Sequence, residues 1–147
     1  MENVRRWIAA FVLLSATTLY IGCSKPAAPA AGTRSAEPEA LSRTEFTQRV
    51  ENYFEYEPLH AGKASPFRIH LTDLSDGSPV EKAEVTLAVR GKGSTDVAAQ
   101  AVAKVGKVTG IYVAELNVPR AGNYDIEFHI KNDKLDERIP LSDFKVE

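Results

Sequence analysis

The sequence has 147 residues, with 18 basic and 20 acidic side chains and a formal net charge of −2. This length allows one domain and a tail. The slightly acidic balance argues against a nucleic-acid-binding surface, which needs clustered Lys and Arg. A single cysteine excludes a disulfide within the chain, so packing alone must stabilise the domain.

The first 22 residues have the pattern of an export signal. Residues 1–6 end in two positive charges, and residues 7–21 are apolar apart from one serine and two threonines. This apolar run has the length of a signal-peptide core and is short for a transmembrane span. Gly22 and Cys23 follow it. The ending resembles the lipobox of bacterial lipoproteins.

That resemblance implies cleavage before Cys23, a diacylglycerol thioether on its sulfur and an acylated amino terminus. The alternative is an uncleaved signal anchor with an incidental cysteine. In lipoproteins of Gram-negative bacteria, a residue other than Asp directly after the lipidated cysteine usually accompanies anchoring at the outer membrane. Ser24 occupies that position, so the resemblance implies anchoring at the outer membrane. We therefore expect a lipid-anchored protein of the cell envelope that faces the periplasm.

Residues 23–41 are predicted to form a disordered tether. They are rich in Pro and Ala, and they contain no aromatic residue and no hydrophobic period. Such a segment cannot bury enough apolar surface to offset its conformational entropy. Its prolines favour extended structure, so the tether can span about 50 Å.

Residues 42–147 are predicted to form an all-β, immunoglobulin-like β-sandwich of about seven strands. Short runs of alternating apolar and polar residues are separated by turn residues, as in such sandwiches. Period two places the apolar side chains of each strand on one face. The predicted strands are residues 50–57, 67–71, 83–89, 96–104, 112–118, 124–130 and 135–146.

Three local features refine this prediction. The Ala-rich segment 96–104 is interpreted as a weak edge strand, with a short helix as the alternative. The apolar phase of the last strand changes after Leu141, which indicates a β-bulge near Pro140. Tyr124 follows Gly122 at a strand entrance, which indicates either a tyrosine corner or a plain turn before a core tyrosine.

The domain also resembles a known family. The residues that carry the resemblance are YFEYEPLHAGK at 53–63, FRIHLTDL at 67–74, PV at 79–80, GIY at 110–112 and AGNY at 121–124. In this order they resemble the N-terminal β-sandwich of some periplasmic adaptor subunits of heavy-metal RND efflux pumps. They are also similar to small periplasmic domains related to the YtkA and FixH proteins. The resemblance leaves open a stand-alone relative or a truncated adaptor.

No catalytic constellation is visible in the sequence, and we expect a protein that is not an enzyme. No G-x-S-x-G motif is present, and residues 91–94 lack the spacing of a phosphate-binding loop. The carboxylates Glu84, Asp125 and Glu127 fall on outward positions of predicted strands, as on a solvated face. No cofactor is expected beyond the covalent lipid on Cys23.

The three histidines are the candidate metal ligands. His70 and His129 lie on outward positions of predicted strands, and His60 lies in a turn. If the strands of His70 and His129 pair, two imidazoles could bind Zn or Cu weakly, with Glu127 or Asp125 nearby. The alternative is three unrelated surface histidines.

Two segments are candidate partner contacts. One interpretation is that Tyr53, Phe54 and Tyr56 form a docking surface at a sheet edge. The other, which we favour, is that Tyr53 or Phe54 fills the core and Tyr56 covers one end of the sandwich. Ala99 lies in the Ala-rich segment, which is the predicted exposed edge and has little side-chain bulk to block a partner strand.

Three functions are consistent with these features. The first is a membrane-tethered, non-catalytic periplasmic binding module that docks to an envelope protein such as an RND efflux adaptor or pump, or to another metal-handling system. The second is a periplasmic Cu or Zn chaperone or sensor that uses the histidines. The third is a structural envelope lipoprotein.

Overall fold

A computed structural model describes residues 39–147, which form two antiparallel β-sheets. One sheet has five strands in the order β1-β2-β3-β7-β6, and the other has four in the order β5-β4-β8-β9. The strands are β1 Leu41–Phe46, β2 Val50–Tyr56, β3 Ala64–Asp73, β4 Glu84–Gly91, β5 Val97–Val102, β6 Lys104–Val105, β7 Ile111–Asn117, β8 Gly122–Lys131 and β9 Asp136–Val146. The predicted all-β sandwich is confirmed.

The core lies between the inward faces of the two sheets. Buried and half-exposed side chains alternate along β3, β4 and β8, as period two requires. Phe54 of the five-stranded sheet and Phe128 of the four-stranded sheet are fully buried, with ring centroids 4.8 Å apart. This contact joins the two sheets near the centre of the sandwich.

The structure contains two short strands that the sequence did not predict. β1 begins at Leu41, the last residue assigned to the tether, and its Phe46 is 62% exposed. The predicted strand 96–104 divides into β5 and β6, because the chain passes from one sheet to the other at Ala103. Within residues 39–147 no helix is present, so the helical alternative for 96–104 is wrong.

The predicted change of phase in the last strand is confirmed, but its position differs. The register between β8 and β9 shifts between Leu141 and Phe144, where Asp143 has a φ of 69°. Pro140 itself pairs in register with Glu127. Proline has no N–H to donate to a ladder, and it is tolerated at position 140 because β9 is an edge strand.

Two tyrosine hydroxyls fasten loops to the sheets. Tyr124 donates a hydrogen bond of 2.9 Å to the carbonyl of Arg120, which confirms the tyrosine corner. Tyr112 was predicted only as a core residue. Its hydroxyl donates to the Val80 carbonyl at 2.9 Å and accepts from the Ala83 N–H at 3.0 Å. It therefore ties the segment before β4 to β7.

The predicted signal at residues 1–22, the lipidation of Cys23 and the tether up to residue 38 lie outside the described residues. Across residues 39–147, the structure has no helix that is long and apolar enough to span a membrane.

Candidate functional site

The two strand histidines lie on different sheets. His70 is on β3 of the five-stranded sheet and His129 is on β8 of the four-stranded sheet. Both follow fully buried residues, Ile69 and Phe128, so both side chains point outward. They consequently occupy opposite outer faces of the sandwich. The condition for a shared metal, that their strands pair, is not met.

Each of these histidines has its own surroundings. His129 Nε2 lies 2.7 Å from Asp136 Oδ1, and this hydrogen bond is the main reason that the pKa of Asp136 is lowered. The ring of His70 packs edge-on against Tyr53, with centroids 5.2 Å apart. His60 is exposed in the loop after β2. In the described part of the chain, no three or more His, Cys, Asp or Glu side chains are grouped to hold a metal ion.

The three candidate docking aromatics do not share one surface. Phe54 is fully buried between Phe128 and Phe67, and Tyr56 is half-buried and stacks on Phe67 at 5.1 Å. Tyr53 points the other way, and its hydroxyl donates to a Glu55 carboxylate oxygen at 3.1 Å. The core interpretation therefore applies to Phe54, and a docking surface made of all three is wrong.

The predicted edge strand is present. β5 is the outermost strand of the four-stranded sheet and pairs only with β4 in that sheet. Its sequence, VAAQAV, has no charge and no proline, although natural edge strands commonly use both to prevent pairing with other chains. Val97 is 49% exposed and Val102 is 60% exposed. This edge is open to another strand.

The phase of the β4–β5 ladder identifies the backbone groups that this edge offers. Ala103 donates its N–H to the Val85 carbonyl, which lies opposite it, at 2.8 Å. Because hydrogen-bonded pairs alternate in an antiparallel ladder, Ala101 and Ala99 also bond to β4. The N–H and C=O groups of Gln100 and Val102 therefore point away from the sheet.

This result corrects the role given to Ala99. Its side chain packs against the core and its backbone groups bond to β4, so it offers little to a partner. The residues whose backbone N–H and C=O groups face a partner are Gln100 and Val102. The sequence pattern alone could not distinguish them, because the ladder phase depends on the contact between Ala103 and Val85.

The charges nearest to β5 lie outside this strand. Asp96 precedes β5, and Lys104 begins β6 in the other sheet; both are exposed. Neither forms an ion pair with another residue of the 39–147 region. The seven residues between them are uncharged. The β5 edge is thus an uncharged strand that follows one exposed carboxylate, Asp96.

These features define a β-sandwich domain with an unprotected edge strand. No family model and no curated protein sequence matches the chain. Among solved structures, the chain is similar to one titled "ZirS C-terminal Domain", with 12% sequence identity and a TM-score of 0.42 over 100% of this chain and 87% of that chain. Likeness at this level supports no argument about function.

Proposed function

We propose that this protein is a membrane-tethered, non-catalytic docking module of the cell envelope, which binds a protein partner by strand addition at β5. The observation that carries the proposal is the uncharged β5 edge, with backbone groups of Gln100 and Val102 directed outward. In strand addition, main-chain hydrogen bonds supply affinity and the alternating side chains supply specificity.

The envelope location is supported by the sequence before the sandwich. The lipobox-like ending at Cys23 and the Pro- and Ala-rich segment after it are the features of a lipid anchor and a spacer. The resemblance of the sandwich to the accessory domain of RND adaptors supports an efflux or metal-handling complex as the partner. The role would be to position or supply that complex.

The anchor is tested at its cysteine. We expect Cys23→Ala to give an unprocessed and unlipidated precursor, because the thiol is the acceptor of the first lipid. If the variant were instead cleaved at another site, it would carry no lipid and would leave the membrane, since stable anchoring needs two lipid signals. Mass spectrometry of the protein from both the membrane and the soluble fraction reads both outcomes. Ser24→Ala, which retains the acceptor, is the matched control. A wild-type chain that begins anywhere other than residue 23 contradicts the anchor.

The docking edge is tested in intact cells with a photo-crosslinking amino acid at position 100. We expect one dominant envelope protein to be captured, because the Gln100 backbone faces a bound strand. The same amino acid at Glu115, which is exposed on the other sheet, is the matched control. Equal capture from both positions, or none from position 100, contradicts docking at β5.

A proline scan separates docking from folding. Gln100→Pro removes an N–H that points away from β4, so capture from a crosslinker at Val102 should fall while the melting temperature changes little. Ala99→Pro removes an N–H that bonds to β4, so it should lower the melting temperature itself.

If deletion of the gene leaves metal and drug tolerance unchanged, the efflux association is wrong even where capture succeeds.

A further inference from the structure

We infer that β5 closes against the free edge of β7 in the same chain when no partner strand is bound, and that this closure regulates docking. It joins the two sheets along this flank of the sandwich, and it covers the backbone groups of Gln100 and Val102 that a partner strand needs. The inference rests on the strand-addition edge of the proposed function and names the contact that competes with the partner.

β5 and β6 are one extended stretch of chain that bonds to both sheets in turn. Ala103 donates its N–H to the Val85 carbonyl of β4 at 2.8 Å. The next residue, Lys104, pairs with Val113 of β7 in the other sheet. Backbone groups of consecutive residues point to opposite sides of a strand. The odd-numbered residues of this stretch therefore face β4, and the even-numbered residues face the β7 side.

The free groups of β5 lie on the side that already bonds to β7. Extension of the β6–β7 register by two and by four residues places Val102 opposite Glu115 and Gln100 opposite Asn117. All four side chains are exposed, so the extended ladder keeps them on the outer surface. Each of these pairs would exchange two backbone hydrogen bonds, as the hydrogen-bonded pairs of an antiparallel ladder do.

β7 offers the matching groups. Gly106 donates its N–H to the Ile111 carbonyl at 2.7 Å, so the odd-numbered residues of β7 direct their backbone groups away from β3. Glu115 is one of them, and its partner in β3 is Pro66, which has no N–H to donate. Within residues 39–147, no strand pairs with this side of β7 beyond Val113. The second half of β7 is thus an open edge beside β5.

The gap between the two edges widens away from Lys104. At its open end lies a cavity of about 440 Å³, lined by Asp96 and Ala98 on one side and by Pro119 and Arg120 on the other. Neither of the two charged residues belongs to an ion pair of the described region. Closure narrows this cavity and brings an unpaired carboxylate toward an unpaired guanidinium.

The Ala-rich composition of β5 suits a strand that must approach both sheets. In the extended ladder Ala101 lies opposite Leu116, and both side chains are buried. Ala99 and Ala103 also pack against the core, and their single methyl groups leave room for β7 to come close. The register of β4 with β5 shifts at Arg90, and such a bulge bends a strand. The bend accounts for the divergence of the start of β5 from β7.

Cysteine crosslinking within the full chain in its own membranes tests closure. The variant Gln100→Cys, Asn117→Cys sets two thiols opposite each other in the extended ladder, where Cα atoms lie about 5.5 Å apart, within disulfide range. In the matched control, Gln100→Cys, Glu115→Cys, the second thiol is displaced by about 6.8 Å along β7. Under mild oxidant its intrachain disulfide should form at least tenfold more slowly. Peptide mass spectrometry of the monomer identifies each disulfide, and Gln100→Cys alone controls for Cys23.

The replaced side chains are exposed, so the reduced variants should melt like the unaltered protein. Equal rates of disulfide formation in the two double variants, or no disulfide between positions 100 and 117 in folded protein, overturn closure.

The closed chain then tests regulation. With a photo-crosslinking amino acid at Val102, the disulfide between positions 100 and 117 should lower capture of the envelope partner at least tenfold, because β7 then occupies the groups that the partner needs. Reduction of the disulfide should restore capture. Undiminished capture from the disulfide-closed chain overturns the regulatory contact.

The outcomes separate the inference from the proposed function. A fast disulfide between positions 100 and 117, without capture of any envelope protein by the open chain, supports closure and contradicts the docking role. Capture from position 100, with equally slow disulfides to positions 115 and 117, supports docking and contradicts closure.

Discussion

Phe128→Ala should lower the free energy of unfolding by about 3–5 kcal/mol, the range for an aromatic side chain deleted from a packed core. Phe128 is fully buried, and its ring lies 4.8 Å from that of Phe54 and 6.4 Å from that of Phe67. Deletion of the ring removes buried apolar surface and leaves a cavity between the sheets. The strands on either side could close this cavity only by shifting out of their paired positions. Urea denaturation followed by circular dichroism measures the loss.

The matched control is the same chemical change at an exposed site. Phe46 on β1 is 62% exposed, so Phe46→Ala should change the free energy of unfolding by no more than about 0.5 kcal/mol. Similar losses for both variants would contradict the placement of Phe128 in the core. A spectrum dominated by helix for the unaltered protein would contradict the sandwich itself.

The strands that the sequence predicted correctly are those with one fully buried face. From Phe67 to Leu71 of β3 and from Tyr124 to Ile130 of β8, every second side chain is apolar and buried, so the alternation appears directly in the sequence. β1 lacked that signal because its inward residues include Arg43 and Glu45, which form an ion pair of 2.9 Å at the sandwich edge. Polar residues on the covered side of an edge strand remove the alternation.

The candidate site shows a different limit. A period of two indicates which face a side chain occupies, but not which sheet its strand joins, because pairing is decided between residues distant in sequence. His70 and His129 were correctly predicted to point outward, yet they lie on opposite sides of the sandwich. The β5 edge was predictable from its composition, whereas the outward direction of the Gln100 groups required the ladder phase.

Gly110→Ala should lower the free energy of unfolding by about 2–5 kcal/mol, because it combines backbone strain with overpacking. Gly110 has a φ of +78°, which side chains rarely adopt, and a Cβ there would lie 2.5 Å from the Cβ of Pro79. It would also lie 3.2 Å from the Leu71 carbonyl oxygen. The Gly110 carbonyl accepts the Leu71 N–H at 2.9 Å, so the loop cannot move away without losing that bond.

Gly77 provides the matched control, since it has nearly the same backbone conformation in open space. Its φ is +73°, and a Cβ there would meet no atom within 4 Å. Gly77→Ala should therefore cost only the strain, about 1 kcal/mol. Thermal and urea unfolding of the two variants measure the difference, which reports the contact with Pro79. Equal losses in the two variants would mean that the Pro79 loop yields to the added methyl group, and that Gly110 is required for its conformation alone.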